Sequence, residues 1–244
     1  MNYNLQPVDL LAFGAHPDDV ELGAGGTLIK HIQLGYSAGI VDLTQGELGS
    51  RGSVSTRYEE ANESSKILGV TFRKNLQWPD GFFAEDDSNL LEIAKIIRLT
   101  RPKWVMANAI SDRHPDHGRA AKIIERATFL AGLMKIKIEE NGVDLPAYRP
   151  ANIYHYIQDR NIGPHFVVDI SNQWEIKMKA IAAFKSQFYS ENSSEPITPI
   201  STKEFWNFLE ARARDFGRIG GFEFAEGFTT ATPLAFRNFK ELNP

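Results

Sequence analysis

Val8-Asp9-Leu10-Leu11-Ala12-Phe13-Gly14, followed at once by Ala15-His16-Pro17-Asp18-Asp19-Val20-Glu21, reads as a short buried strand turning sharply into a helix. Leu22, Leu28, Ile29 and Ile32 continue at helical spacing up to Gly35. The unit then recurs. Residues 37–43 are a second strand, 57–68 a helix closed by Gly69, and 72–77 a third strand ended by Pro79-Asp80-Gly81. Residues 89–100 are helical by the stripe Leu90, Ile93, Ile96 and Ile97, Trp104-Val105-Met106-Ala107 is a buried strand, and 115–130 is helical again. Repeated βα units at this spacing predict an α/β, Rossmann-like, three-layer fold whose mostly parallel sheet is flanked by helices.

Beyond residue 131 the pattern loosens, with strands expected at 153–157 and 166–170 and helices at about 174–188 and 203–216. The Ser-, Pro- and Glu-rich stretch 190–199 reads as a mobile surface connection. No linker divides the chain, so residues 1–244 are expected to form a single domain, with a core at about 6–131 and a C-terminal elaboration at about 132–244.

The 244 residues carry 27 Lys+Arg and 31 Asp+Glu, a formal charge of −4 without long runs of one sign. That balance argues against a groove for nucleic acid or an anionic membrane surface. No apolar stretch reaches the roughly 18 residues of a membrane span, and Met1-Asn2-Tyr3-Asn4 lacks the start of a signal peptide, so a cytoplasmic location is expected. With no cysteine, thiolate zinc sites and cysteine nucleophiles are excluded, and any metal must be held by His, Asp or Glu.

Two segments, Gly14 through Glu21 and Asp112-Arg113-His114-Pro115-Asp116-His117-Gly118, follow strands and so fall where open parallel sheets bind ligands. An ordinary helix start accounts for Pro17, Asp18, Asp19, Pro115 and Asp116. It leaves His16, His114 and His117 unexplained, three of only six histidines. Imidazole mixed with carboxylate suits Zn2+ and related ions, and a hydrolytic site uses about three protein ligands plus a position for water.

Ala-His-Pro-Asp-Asp with a distant His-Pro-Asp-His resembles the PIG-L/LmbE family of zinc-dependent N-acetylglucosaminyl deacetylases. Thr44 through Gly52, Asn75-Leu76 with Pro79-Asp80, Gln187-Phe188-Tyr189 and Ala225-Glu226-Gly227-Phe228 are similar to its bacillithiol-biosynthesis branch, which deacetylates N-acetylglucosaminyl malate. Ser50 departs from that pattern, where threonine is expected. By motif position the resemblance implies His16, Asp19 and His117 as metal ligands, with Zn2+ as the ion and Fe2+, Mn2+ or Co2+ as substitutes. It also implies a homo-oligomer, a hexamer being one form.

Asp18, adjacent to a ligand, can face the attacking water and is assigned as general base. His114 is the candidate oxyanion donor and general acid, with Asp116 holding its orientation and raising its pKa, unless Asp116 is simply a helix-start carboxylate. The loop 46–53 carries Glu47 and Arg51, and Arg113 sits inside the second cluster; Glu47, Arg51 and Arg113 are the candidate substrate-binding residues, with Arg57 in reserve. Two arginine forks would match the two carboxylates of a malyl group. The alternatives are deacetylation of another N-acetylglucosamine derivative or a chitooligosaccharide, or a non-catalytic metal- or sugar-binding module. His155 reads as a hydrogen-bonded core residue, the Gly23-Ala24-Gly25-Gly26 run as close helix packing, and the aromatics from Phe205 to Phe236 and Phe239 as core or subunit interface.

Overall fold

The computed structural model describes residues 5–189, 191 and 194–238. Met1-Asn2-Tyr3-Asn4, parts of the 190–199 connection and Phe239 lie outside the described residues. Strand β1 (Leu10–Gly14) is buried at every position because it is central. It pairs in parallel with β2 (Ala38–Thr44) on one side and β4 (Trp104–Ala107) on the other. The alternation of side chains along it sends Leu11 and Phe13 to one face and Leu10 and Ala12 to the other. The first pair packs on Ile93 and Ile97 of α3 (Asp87–Thr100) and Ile123 of α4 (Pro115–Ala131); the second packs on Val20 and Leu28 of α1 (Asp19–Gln33). Helices thus cover both faces, as a parallel sheet requires.

The seven-stranded sheet runs β3-β2-β1-β4-β7-β9-β8, where β3 is Phe72–Trp78, β7 Asn152–Tyr156, β8 Phe166–Asp169 and β9 Ala225–Thr229. Strand β9 runs antiparallel to both β7 and β8. Helix α2 (Val54–Leu68) starts three residues before the apolar pattern does, where the Ser53 hydroxyl caps the Thr56 N–H. A short hairpin, β5 (Glu139–Glu140) and β6 (Val143–Asp144), turns at Asn141-Gly142, both at positive φ. No described helix is long and apolar enough to cross a membrane.

Two C-terminal expectations need correction. Helix α5 (Trp174–Ala182) stops short of residue 188, because the following turn is fixed by other partners: the Ser186 N–H and hydroxyl donate to Glu60, and the Gln187 amide donates to the Arg51 carbonyl. Strand β9 has no counterpart among the expected strands, since Glu226 and Gly227 look unlike a buried strand. Glu226 is nevertheless buried there with its carboxylate satisfied by the Gly26 and Thr27 N–H groups and by Lys177 of α5. The glycine run of α1 does serve close packing: a Cβ at Gly23 would overlap the Tyr156 ring, and one at Gly26 would come within 2.8 Å of Ile170. Helix α6 (Lys203–Gly220) closes at Gly221 in the left-handed conformation, as a glycine C-terminus should.

Candidate active site

The β1–α1 turn carries His16, Asp18 and Asp19, and the N-terminus of α4 carries His114 and His117, all at the carboxyl ends of adjacent strands. Asp18 has φ 115°, a conformation that costs a non-glycine residue about 1–3 kcal/mol and persists only where its surroundings hold it. Arg57 does so, donating to the Pro17 carbonyl at 2.6 Å and to the Asp18 carboxylate at 3.1 Å.

The structure brings His16, Asp19 and His117 together. Asp19 lies 3.5 Å from His16 Nδ1 through one oxygen and 3.2 Å from His117 Nε2 through the other. Asn108 and Gln158, which sequence reasoning missed, hold the Asp19 carboxylate by amide hydrogen bonds of 2.9 and 2.7 Å. A carboxylate stands behind each imidazole: Asp80 takes His16 Nε2 at 3.0 Å, and Asp112 takes His117 Nδ1 at 2.6 Å. This is the pairing that fixes the tautomer of metal-binding histidines and leaves the inner nitrogen available as a donor. His114 joins the cluster, since one ring nitrogen from each of His16, His114 and His117 lies within 4.8 Å of the others. A nitrogen and oxygen donor set of this kind fits Zn2+, Fe2+, Mn2+ or Co2+.

Electrostatics agree with a cation being wanted here. Burial lowers the pKa of both outer imidazoles, yet the carboxylates outweigh it: Asp116, Asp19 and Asp80 raise His16 well above its ordinary value, and Asp19 and Asp112 raise His117 to about 9. Burial pushes the Asp18 carboxyl up to about 7 against the pull of Arg57. Burial would raise Asp19 as well, but His117 and His16 hold it well below the carboxylate range. His114 moves the other way, lowered by burial and then by the charges on His16 and His117.

Several expected partners are elsewhere. The Asp116 carboxylate does not hold His114; it accepts from Gly81 N–H and Arg119 at 2.9 Å each and lies 3.5 Å from His16. Only the Asp116 backbone N–H meets His114 Nδ1, at 3.3 Å, because His114 is itself the N-cap of α4. The expected upward shift of His114 is therefore overturned. Arg51 points away from the cleft and ties the loop to the C-terminal segment, donating to the carbonyls of Ser186 and Pro196 at 2.6 and 2.7 Å. Glu47 accepts the Asp80 N–H at 2.7 Å, while Asp80 accepts the Leu48 N–H, so Glu47 fastens the loop to the residue behind His16. Arg113 does line the cleft, as do Arg57 and Arg212, and Arg113 pairs with Asp159 at 3.0 Å. His155 is a core residue bonded to the Asn108 carbonyl and Glu125, as its strand position suggested. Asp80 stood in the sequence as a turn residue and as part of the Pro79-Asp80 match, and neither signalled a carboxylate behind His16.

Residues 11–128, which span both clusters, match the family described as PIG-L: GlcNAc-PI de-N-acetylase. The structure of the conserved protein TT1542 from Thermus thermophilus superposes with a TM-score of 0.83 at 36% identity, covering 94% of this chain and 97% of that one. The chain belongs to the PIG-L family. Another relative is the diacetylchitobiose deacetylase of Thermococcus kodakarensis, 29% identical over 89% of this chain and 81% of that protein. The 4-oxalmesaconate hydratase of Pseudomonas putida is 26% identical, with 76% of each chain covered.

Proposed function

We propose that this protein is a metal-dependent hydrolase that removes acetate from an N-acetylglucosaminyl conjugate. The observation that carries the proposal is the pairing of two carboxylate-backed imidazoles around Asp19 with a second, separately held carboxyl, Asp18, whose pKa lies near neutrality. A binding module needs only the first part; a general base is what the second part adds. The names of the family and of the chitobiose relative support the amide as electrophile.

When bound, a divalent cation supplies Lewis acidity, polarising a carbonyl and acidifying a water. His16, Asp19 and His117 would hold it, with Zn2+ the first choice by donor type. Asp18 takes the proton of the attacking water, and Arg57 keeps its carboxylate turned toward the cleft. His114 accepts the Asp116 N–H at Nδ1, so its proton is on Nε2, available to the oxyanion that develops on the acetamide. Since burial keeps His114 neutral, Asp18 rather than His114 returns the proton to the departing amine.

N-Acetylglucosaminyl malate, the substrate of the bacillithiol branch, is the finer assignment. Support comes from the guanidinium groups of Arg113, Arg57 and Arg212 around one cleft, which replace the expected pair of Arg51 and Arg113. A cytoplasmic homo-oligomer, with six subunits as one form, and a division into a core of about 6–131 and an elaboration beyond it complete the proposal. The test is acetate release from the malate conjugate, diacetylchitobiose and free N-acetylglucosamine by metal-stripped protein, before and after adding Zn2+, Fe2+, Mn2+ or Co2+. Ion-dependent acetate is expected. No acetate with any ion overturns the hydrolase and favours water addition to an unsaturated acid, the chemistry named for the Pseudomonas putida relative.

A further inference from the structure

We propose that Arg212, on α6, selects substrates that carry a carboxylate on the group attached to the amino sugar; this rests on the deacetylase proposal above. Arg212 lines the same cleft as His16, Asp18 and Asp19. Its guanidinium is held in place without a carboxylate in direct contact, Glu226, Asp159 and Asp112 acting on it only at longer range. One nitrogen donates to the Leu22 carbonyl at 2.8 Å, and the group lies over the Phe208 ring at 5.4 Å.

The other cations around it are all paired. Arg57 meets Asp18 at 3.1 Å, Arg113 meets Asp159 at 3.0 Å, and Lys177, which shares the Leu22 carbonyl, meets Glu226 at 2.6 Å. Among the described residues no carboxylate lies within 4.0 Å of Arg212. Its surroundings are costly for a charge, and burial brings its pKa down to about 10. A role confined to capping Leu22 does not explain the residue, because Lys177 already donates to that carbonyl. A half-buried, pre-positioned guanidinium with no ion-pair partner, beside apolar Leu22, Ile200 and Phe205, is matched by a ligand carboxylate, which pairs with its fork through parallel N–H donors.

The test compares wild type with Arg212→Gln and Arg212→Lys on N-acetylglucosaminyl malate and on neutral diacetylchitobiose, with thermal midpoints measured in parallel. Arg212→Gln is expected to raise KM for the malate conjugate about 10- to 100-fold while leaving diacetylchitobiose within about threefold, the loss of a charge-assisted contact. Arg212→Lys should recover part of it. Equal losses on both substrates, or none, overturn the proposal. Should Arg212→Gln fail to fold, calorimetry of malate binding to wild type against Arg212→Lys decides, with no malate binding by wild type counting against it. A wild type that releases acetate from neither substrate instead removes the deacetylase reading, and malate binding still tests the arginine on its own.

Discussion

Zinc binding to the metal-stripped protein should be coupled to proton release, and the coupling can be worked from the site. His117 keeps its Nδ1 proton on Asp112 at 2.6 Å, so ligation must displace the proton on Nε2, the nitrogen facing Asp19 at 3.2 Å. The carboxylates that raise its pKa to about 9 make that proton hard to remove. At pH 7 the ion competes with a proton held about two pH units too tightly, a cost of about 3 kcal/mol, or about a hundredfold in apparent affinity. Affinity should thus rise about tenfold per pH unit between pH 7 and 9 from His117 alone, and more steeply as His16, also raised, gives up its own proton. The sign follows from the direction of both shifts: a raised pKa keeps the imidazole protonated at neutral pH, so binding weakens as pH falls. Calorimetric titrations in two buffers of different ionisation heat read the number directly, and about one to two protons per zinc are expected. An affinity unchanged from pH 6.5 to 8.5, with no proton released, would refute the assignment of these imidazoles as ligands.

Three substitutions separate the remaining roles. Asp18→Asn should retain zinc while kcat falls about 10²- to 10⁴-fold, the usual worth of a general base; retained turnover removes Asp18 from that role. Asp112→Asn, behind His117, should weaken zinc binding about 10- to 100-fold, as loss of an orienting carboxylate does, and an unchanged affinity would remove Asp112 from that orienting role. Arg51→Ala should lower unfolding free energy by about 3 kcal/mol through lost hydrogen bonds to the Ser186 and Pro196 carbonyls, measured by denaturant titration. Its KM values for anionic and neutral conjugates should move together; a selective loss on the anionic one would restore Arg51 to the substrate site.

The sequence by itself determined the frame of this protein. The period of apolar residues along Leu10–Gly14, Asp19–Gln33 and their repeats sets a strand-helix alternation that can bury its surface only as a helix-covered parallel sheet. That topology places the turns after β1 and β4 side by side, so His16, Asp19, His114 and His117 had to meet even though about a hundred residues separate the two turns. What only the tertiary structure decided is how each polar group is matched. Arg51, Arg57, Arg113 and Arg212 look alike as letters; their partners, a pair of carbonyls, Asp18, Asp159 and the Leu22 carbonyl, come from elements far apart in the chain. The same holds for Asp116, whose carboxylate turns to Gly81 and His16 because the His114 ring is already engaged by its backbone N–H. Strand β9 was hidden for the same reason: Glu226 is tolerated in a buried strand only because α1 and α5 bring it two backbone donors and a lysine. Hydrophobic burial is additive along the chain and leaves a periodic trace, whereas the pairing of buried charges depends on distance in space and leaves none.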